Sequence, residues 1–242
     1  VSNLGQRKPK NKKIKSGTVP RPEITQDSDR WELAYWTERG ITRDMLIEDE
    51  VYVVRGYFWD EYNAVWSNPQ RPVYYYKIFD PVTKEESHKV YSPTEKGVNK
   101  INKWRSWDLG KVLLETYPEG KNEEVIICSS RKDMMQAKRI CGDAYDYGSL
   151  KSESAINALL KWYQRDAHHY KRVFYLGDFD FRREGDQPNV KRGIERMLEV
   201  EKKSGGDIIS LIPDEGIQKT WHNLGVKDID DMVTRFKINW TR

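Results

Sequence analysis

Asp178 and Asp180 stand two residues apart behind the run Val173-Phe174-Tyr175-Leu176-Gly177. β-branched and aromatic residues make that run a strand. At the end of a buried strand, the i, i+2 spacing can bring both carboxylates to one rim of a sheet. Two like charges there are costly to bury unless a cation compensates them. Carboxylate oxygens suit a hard ion such as Mg²⁺, which keeps several waters and binds through one or two carboxylates plus substrate phosphates. The same run also reads as a strand ending in a solvated acidic turn, and this segment alone does not decide between the two.

The surrounding sequence must supply that rim. Glu124–Cys128 is a short apolar strand, followed by Ser129-Ser130-Arg131-Lys132-Asp133 and a helical stretch, Met134–Ile140. Ala144–Tyr147 is a weaker strand ending at Gly148-Ser149. Glu153–Arg165 has helical periodicity, with Ile156, Leu159, Leu160 and Tyr163 on one face. After the Val173 strand come a polar loop, a helix over Val190–Lys203, a strand over Asp207–Ile212 and a helical segment behind Lys227-Asp228-Ile229-Asp230-Asp231. Strands alternating with helices give an α/β fold with a mostly parallel sheet flanked by helices. Ligands bind beyond the carboxyl ends of such strands, which puts Ser129, Ser149, Asp178 and Pro213 on one rim.

Upstream the texture differs. Asp27-Ser28-Asp29 caps a helix through Trp31–Arg39, Gly40 ends it, and Thr42 caps a second short helix. Val51–Val54, Val73–Phe79 and His88–Tyr91 are β runs, and Asp80–Lys84 is a hairpin turn. This is a small α+β unit with mostly antiparallel strands. Lys96–Trp107 reads as a basic, loop-like stretch with Trp104 and Trp107 interleaved. The expected division is a basic arm or linker over 1–26, the α+β unit over 27–118 and the α/β unit over 119–242.

Composition narrows the class. Of 242 residues, 37% are hydrophobic and 33% charged, but 12% are aromatic, which argues against disorder. No apolar run approaches a membrane span and no signal peptide is visible, so a cytoplasmic protein is expected. Starting at Val1, the chain reads as a fragment or a processed product. Cys128 and Cys141 lack metal-ligand spacing and read as reduced thiols. Residues 1–22 hold seven basic residues and no acid, so the formal charge of +4 leaves −3 for the remainder. Such an arm serves as a linker, contacts nucleic-acid phosphates, or does both.

Taken in order, these parts resemble the TOPRIM domain of phage-type DNA primases. Val125–Asp133 aligns with the family's Glu-Gly-x-x-Asp motif, Asp178-Phe179-Asp180 with its Asp-x-Asp motif, and Lys227–Asp231 with its Lys-Asp-x-x-Asp ending. Tyr35–Ile41 is similar to the short helix that leads into the primase core. Lys89–Pro93, followed by Lys103-Trp104-Arg105-Ser106, is similar to that core's basic subdomain. The resemblance covers roughly 29–242. It implies catalytic roles for Asp178, Asp180 and Asp133, and metal ligation by Asp178, Asp180 and Asp228. It also implies contacts to nucleic acid or nucleotide from Lys89, Lys103 and Arg105. Mg²⁺ or Mn²⁺ is the implied cofactor. Single-stranded DNA template and nucleoside triphosphates are the implied partners, with a replicative helicase and an upstream or separate zinc-binding module beside them. If the chain is viral, its location is the host cytoplasm.

Two departures set the chain apart. Ser129 stands at the position of the motif glutamate and Ser130 at that of the glycine. A serine hydroxyl replaces a carboxylate neither as a base nor as a metal ligand, and proton transfer by a positioned group contributes about 10²–10⁴ in rate. Glu184 and Asp186 are candidates to supply the missing carboxylate. The loop Phe181–Asn189 is also longer than the family's tight turn, so Gly185 matches its glycine only with an insertion. The expected function is therefore magnesium-dependent synthesis of short RNA primers on single-stranded DNA. The alternatives are a catalytically impaired, DNA-binding replisome component and a TOPRIM nuclease.

Overall fold

Short polar residues start helices where their chemistry requires. Thr42 has an extended backbone, and its hydroxyl accepts the Met45 amide at 3.3 Å. It opens α2 (Arg43–Glu48) behind α1 (Arg30–Thr37). Gly40 joins them at φ +67°, the left-handed region that glycine adopts without steric cost. The computed structural model describes residues 30–58, 64–94, 104–107, 109–180 and 192–236. The arm 1–26 and its proposed helix cap at Asp27–Asp29 lie outside them.

In the first unit, β1 (Val51–Val53) is followed by a two-stranded hairpin, β2 (Gly56–Phe58) with β3 (Ala64–Trp66). β4 (Tyr74–Phe79), β5 (Glu86–Tyr91) and β6 (Trp104–Trp107) join β1 in an antiparallel sheet ordered β1-β4-β5-β6. Asp80 forms the β4–β5 turn as its type predicts. Its Oδ1 accepts the Val82 and Thr83 amides at 2.9 and 3.1 Å.

The second unit alternates strands and helices: β7 (Glu124–Cys128), α3 (Arg131–Cys141), β8 (Asp146–Ser149), α4 (Ile156–Asp166), β9 (Arg172–Leu176), α5 (Gly193–Lys203), β10 (Ile208–Ser210), α6 (Glu215–Asn223) and α7 (Ile229–Phe236). The sheet is parallel throughout, in the order β10-β9-β7-β8. Val125, Ile126, Ile127 and Cys128 are all buried, as expected of a central parallel strand covered on both faces. The chain leaves β7 for β8 on one side and later leaves β9 for β10 on the other. β7 and β9 are neighbours, so the winding reverses between them and opens a crevice beyond their carboxyl ends.

One hydrophobic cluster runs through both units, from Trp36, Tyr74 and Tyr91 to Ile127, Trp162 and Met197. Each fully buried large apolar side chain contributes about 1.5–3 kcal/mol. A buried ionic network crosses the same junction. The Arg131 guanidinium donates to the carbonyls of Asp49, Lys77 and Glu115 at 2.7, 3.2 and 2.7 Å. Glu115 pairs with Lys89 at 2.5 Å and with Arg131 at 3.5 Å.

Four readings of the sequence need correction. Lys96–Trp107 is not loop throughout, because Trp104–Trp107 pairs with β5 as β6. The second α/β strand is shifted to Asp146–Ser149. Helix α6 was not expected, although Asp214 caps it by accepting the Ile217 amide at 3.0 Å. Lys89 is the fourth correction and the one that bears on function. Its side chain is buried, with the ammonium against Glu115 and the Lys151 carbonyl, so it faces protein groups rather than a template phosphate.

The junction network is open to test. Glu115→Ala strands two buried cations and is expected to lower stability by about 3–5 kcal/mol in urea unfolding. Lys89→Met combined with Glu115→Leu is expected to cost less than Glu115→Ala alone. A loss under about 1 kcal/mol for Glu115→Ala would show that the network does not hold the units together.

Candidate metal centre at the sheet edge

Three chain segments meet in the crevice between β7 and β9. Behind β7, the Ser129 amide donates to the Leu176 carbonyl at 2.9 Å and draws the turn against β9. Ser130 caps α3, accepting the Asp133 amide at 3.3 Å and donating its own proton to Asp133 Oδ2 at 2.5 Å. Behind β9, Phe179 turns inward and packs on Trp221, with ring centroids 5.0 Å apart. Asp178 and Asp180 therefore emerge on the opposite side, as the i, i+2 spacing implied. The Phe179 amide donates to the Lys227 carbonyl, which brings in the third segment. There Asp228 caps α7, its Oδ1 accepting the Asp231 amide at 2.7 Å.

Asp133, Asp178 and Asp228 each offer an oxygen within 4.8 Å of the others. Asp178 also lies in a second set with Glu153 and Asp180 under the same limit. The Ser129 hydroxyl sits between two of these carboxylates, 2.8 Å from Asp178 Oδ1 and 3.1 Å from Asp133 Oδ2. It has one proton to donate and two acceptors facing it. Asp133 is 3% exposed, and among the described residues its Oδ1 has no hydrogen-bond partner. A buried, unpartnered carboxylate oxygen among further carboxylates fits a hard divalent cation, whose ligands are oxygens.

The electrostatics agree. Burial, then Asp228, pushes the Asp133 carboxyl up to about 7, against the opposing pull of Lys132. Burial, then Asp133, Glu153 and Asp228, pushes Asp178 up to about 8. Asp228 moves the other way: burial works to raise it, but Lys132 and Lys227 together hold it below the ordinary value. Lys227 Nζ lies 3.0 Å from Asp228 Oδ2.

Asp180 is tethered. The Gly193 amide at the start of α5 donates to its Oδ1 at 2.7 Å, and Arg192 lies 3.7 Å from Oδ2. A Cβ on Gly193 would stand 2.1 Å from the Asp178 carbonyl oxygen, so only glycine allows α5 this close to the aspartate turn. Glu153 pairs with Arg196 of α5.

Of the residues singled out by sequence, Asp133, Asp178 and Asp228 come together, and Asp180 adjoins them through Asp178. Lys89 lies in the junction network. Arg105 stands on β6 opposite Val90. Lys103, Glu184, Gly185 and Asp186 lie outside the described residues. Glu153 was missed because its loop carries no motif; only its place just past a strand end pointed here.

No protein-family description matches the sequence, and neither does any curated protein. Among solved structures, the primase fragment of the bacteriophage T7 primase-helicase protein is similar, at a TM-score of 0.54 and 12% identity. That match covers 94% of this chain and 82% of the other. A complex of T7 lagging-strand DNA polymerase with primase domains bound to an RNA/DNA hybrid and dTTP scores 0.47 at 12% identity, covering 78% of this chain and 84% of the other. The first likeness establishes a primase-like fold. Among the described residues, no helix is long and apolar enough to cross a membrane.

The raised carboxyls set a pH dependence. Asp133 and Asp178 titrate near 7 and 8 in the fold, against about 3.9 in the unfolded chain. Between those limits the folded chain holds the extra protons, so stability falls as pH rises through the window. Thermal melts without divalent ions are expected to drop from pH 5.5 to 8.5, and Asp178→Asn should flatten that slope. Mn²⁺ should restore more stability at pH 8.5 than at 5.5. An identical slope in Asp178→Asn would show that this carboxyl is not a proton holder.

Proposed function

We propose that this chain is a primase-type core that makes short RNA primers on a single-stranded DNA template by Mg²⁺-dependent nucleotidyl transfer. The observation that carries the reading is the meeting of Asp133, Asp178 and Asp228 at the winding reversal, with a buried Asp133 oxygen lacking a partner. The primase-like fold supports it. Asp133, Asp178 and Asp228 would hold the ion, with Asp180 and Glu153 beside them. When bound, such an ion neutralises triphosphate charge and activates the attacking hydroxyl. The residues around it do the positioning. The Ser129 and Ser130 hydroxyls fix the Asp133 rotamer, the Gly193 amide of α5 fixes Asp180, and the Asp231 amide of α7 fixes Asp228. Preorganised groups of this kind stabilise developing charge without reorganising.

Ser129 takes no proton from an attacking hydroxyl. Its own proton lies between two carboxylates, so it serves to hold them together. Glu153 is the carboxylate that stands nearest to filling the place of the absent glutamate, since it reaches both Asp178 and Asp180. The basic arm, with seven cations over residues 1–22, suits template phosphates. A replicative helicase, a separate zinc-binding template reader, a role in phage replication and the division at 26/27 and 118/119 belong to the same proposal.

The test is primer synthesis from nucleoside triphosphates on single-stranded DNA with Mg²⁺ or Mn²⁺. Asp178→Asn/Asp180→Asn is expected to lower product by about 10² or more. Ser129→Glu is expected to raise it. Equal product from the native chain and the double variant removes these aspartates from the mechanism. Shortening of labelled DNA without triphosphates would mark a nuclease. A gel shift with neither activity would mark a binding module.

A further inference from the structure

Beside the acidic centre, one buried carboxylate is served by two cations. Asp230, 2% exposed, lies on the first turn of α7. Its Oδ1 accepts Gln136 Nε2 at 3.3 Å, and its Oδ2 accepts Arg39 Nε at 3.2 Å. Those two contacts already satisfy a buried carboxylate with one opposite charge and one neutral donor. Lys132 Nζ then adds a second cation to Oδ2, at 2.7 Å.

The two cations are not alike. Arg39 is fixed from several sides: Nη1 donates to the Tyr35 carbonyl at 2.7 Å, and the guanidinium lies 3.7 Å over the Tyr35 ring. Lys132 is a point charge on a flexible stem. Its side chain is 17% exposed, and it sits on the first turn of α3, next to Asp133. It is the cation free to change partner while Arg39 keeps Asp230 neutral.

Charge balance says what that partner is. Once a divalent ion displaces the protons of Asp133 and Asp178, those two carboxylates with Asp228 and Asp230 face Lys132, Lys227 and Arg39, one negative charge in excess before the ion's own charge is counted. A divalent cation turns the excess positive. An anion is then attracted, and the first turn of α3 adds the favourable end of the helix dipole.

We propose that Lys132 binds a phosphate group of the incoming nucleoside triphosphate once a divalent ion occupies the centre, and that Asp230 and Arg39 are the positioning residues that hold Lys132 ready. This inference rests on the nucleotidyl-transfer reading given above. The ammonium stays charged there: burial alone would lower its pKa, but Asp230 and Asp228 more than offset that and raise it.

The experiment is isothermal titration of the full chain, first with Mn²⁺ alone and then with ATP in the presence of Mn²⁺. Lys132→Gln should not weaken Mn²⁺ binding, because it removes a cation beside Asp133 and Asp228 while Asp230 keeps Arg39. It should weaken ATP about 10-fold to 100-fold, the loss expected for one hydrogen bond to a charged group. Lys132→Arg keeps the charge and should recover most of the ATP affinity. If Lys132→Gln binds ATP like the native chain, the inference falls while the centre stands. If Lys132→Gln no longer folds or binds Mn²⁺, Lys132 is part of the scaffold and the inference also falls. A native chain that binds no Mn²⁺ overturns the underlying reading itself.

Discussion

Like-charge repulsion among buried carboxylates is the constraint around which this molecule is arranged. Asp133, Asp178 and Asp228 come from turns behind β7, behind β9 and before α7, and each is held by amides or hydroxyls that also build local structure. Every helix or turn that ends here thus brings its acid by necessity, not by fluctuation. The sheet supplies the reason for the place. Between β7 and β9 the winding reverses, the point at which ligands bind beyond the carboxyl ends of such strands. The Ser129 and Phe179 amides tie the turns to the Leu176 and Lys227 carbonyls and work against that repulsion.

Positive charge is distributed so that the repulsion is relieved unevenly. Lys132 and Lys227 flank Asp228 and hold its pKa down, whereas Asp133 and Asp178 are left with raised values. The two carboxyls with raised values are also the two that face Ser129. A cation entering the centre is therefore drawn to the side of Asp133 and Asp178. Elsewhere the fold treats charge differently. The Lys89–Glu115–Arg131 network is closed on itself and ties the antiparallel unit to α3. α3 thus carries a sealed ion pair at Arg131 and an unsealed one at the next residue, Lys132. Consecutive helix residues point about 100° apart, which lets one turn serve both the scaffold and the centre.

What was legible in the sequence follows from how local each signal is. Asp178 and Asp180 were found because their spacing and the preceding strand lie within eight residues. The parallel sheet was found from the alternation of periods, whereas Asp228 was named through the resemblance of Lys227–Asp231 to a motif, its acidic helix start alone pointing only to a cap. Lys132 and Asp230 were not connected, because 98 positions separate them, and Arg39 stands 191 from Asp230. Lys89 was misread for the same reason: a lysine on a strand shows its charge in the sequence but not the glutamate it meets. β6 escaped because Trp104-Arg105-Ser106-Trp107 lacks alternation and becomes a strand only through pairing with β5. Asp214, which caps α6, resembled any other loop acid until the helix behind it was seen.

The serine at 129 changes what the centre does with protons. A carboxylate in its place would add a further negative charge within reach of Asp133 and Asp178, and the metal-free fold would have to hold still more protons or open. A hydroxyl adds none. It donates to one carboxylate, and burial together with mutual repulsion raises the pKa of both, which favours holding a proton between them. The substitution thus makes the empty centre easier to keep folded and, by the same charge balance, weakens its pull on a divalent ion. Glu153 belongs to the set with Asp178 and Asp180 and not to that of Asp133 and Asp228, and it is paired with Arg196, where its charge is already compensated. A carboxylate supplied from that set can reach Asp178 without restoring the repulsion that Ser129 has removed.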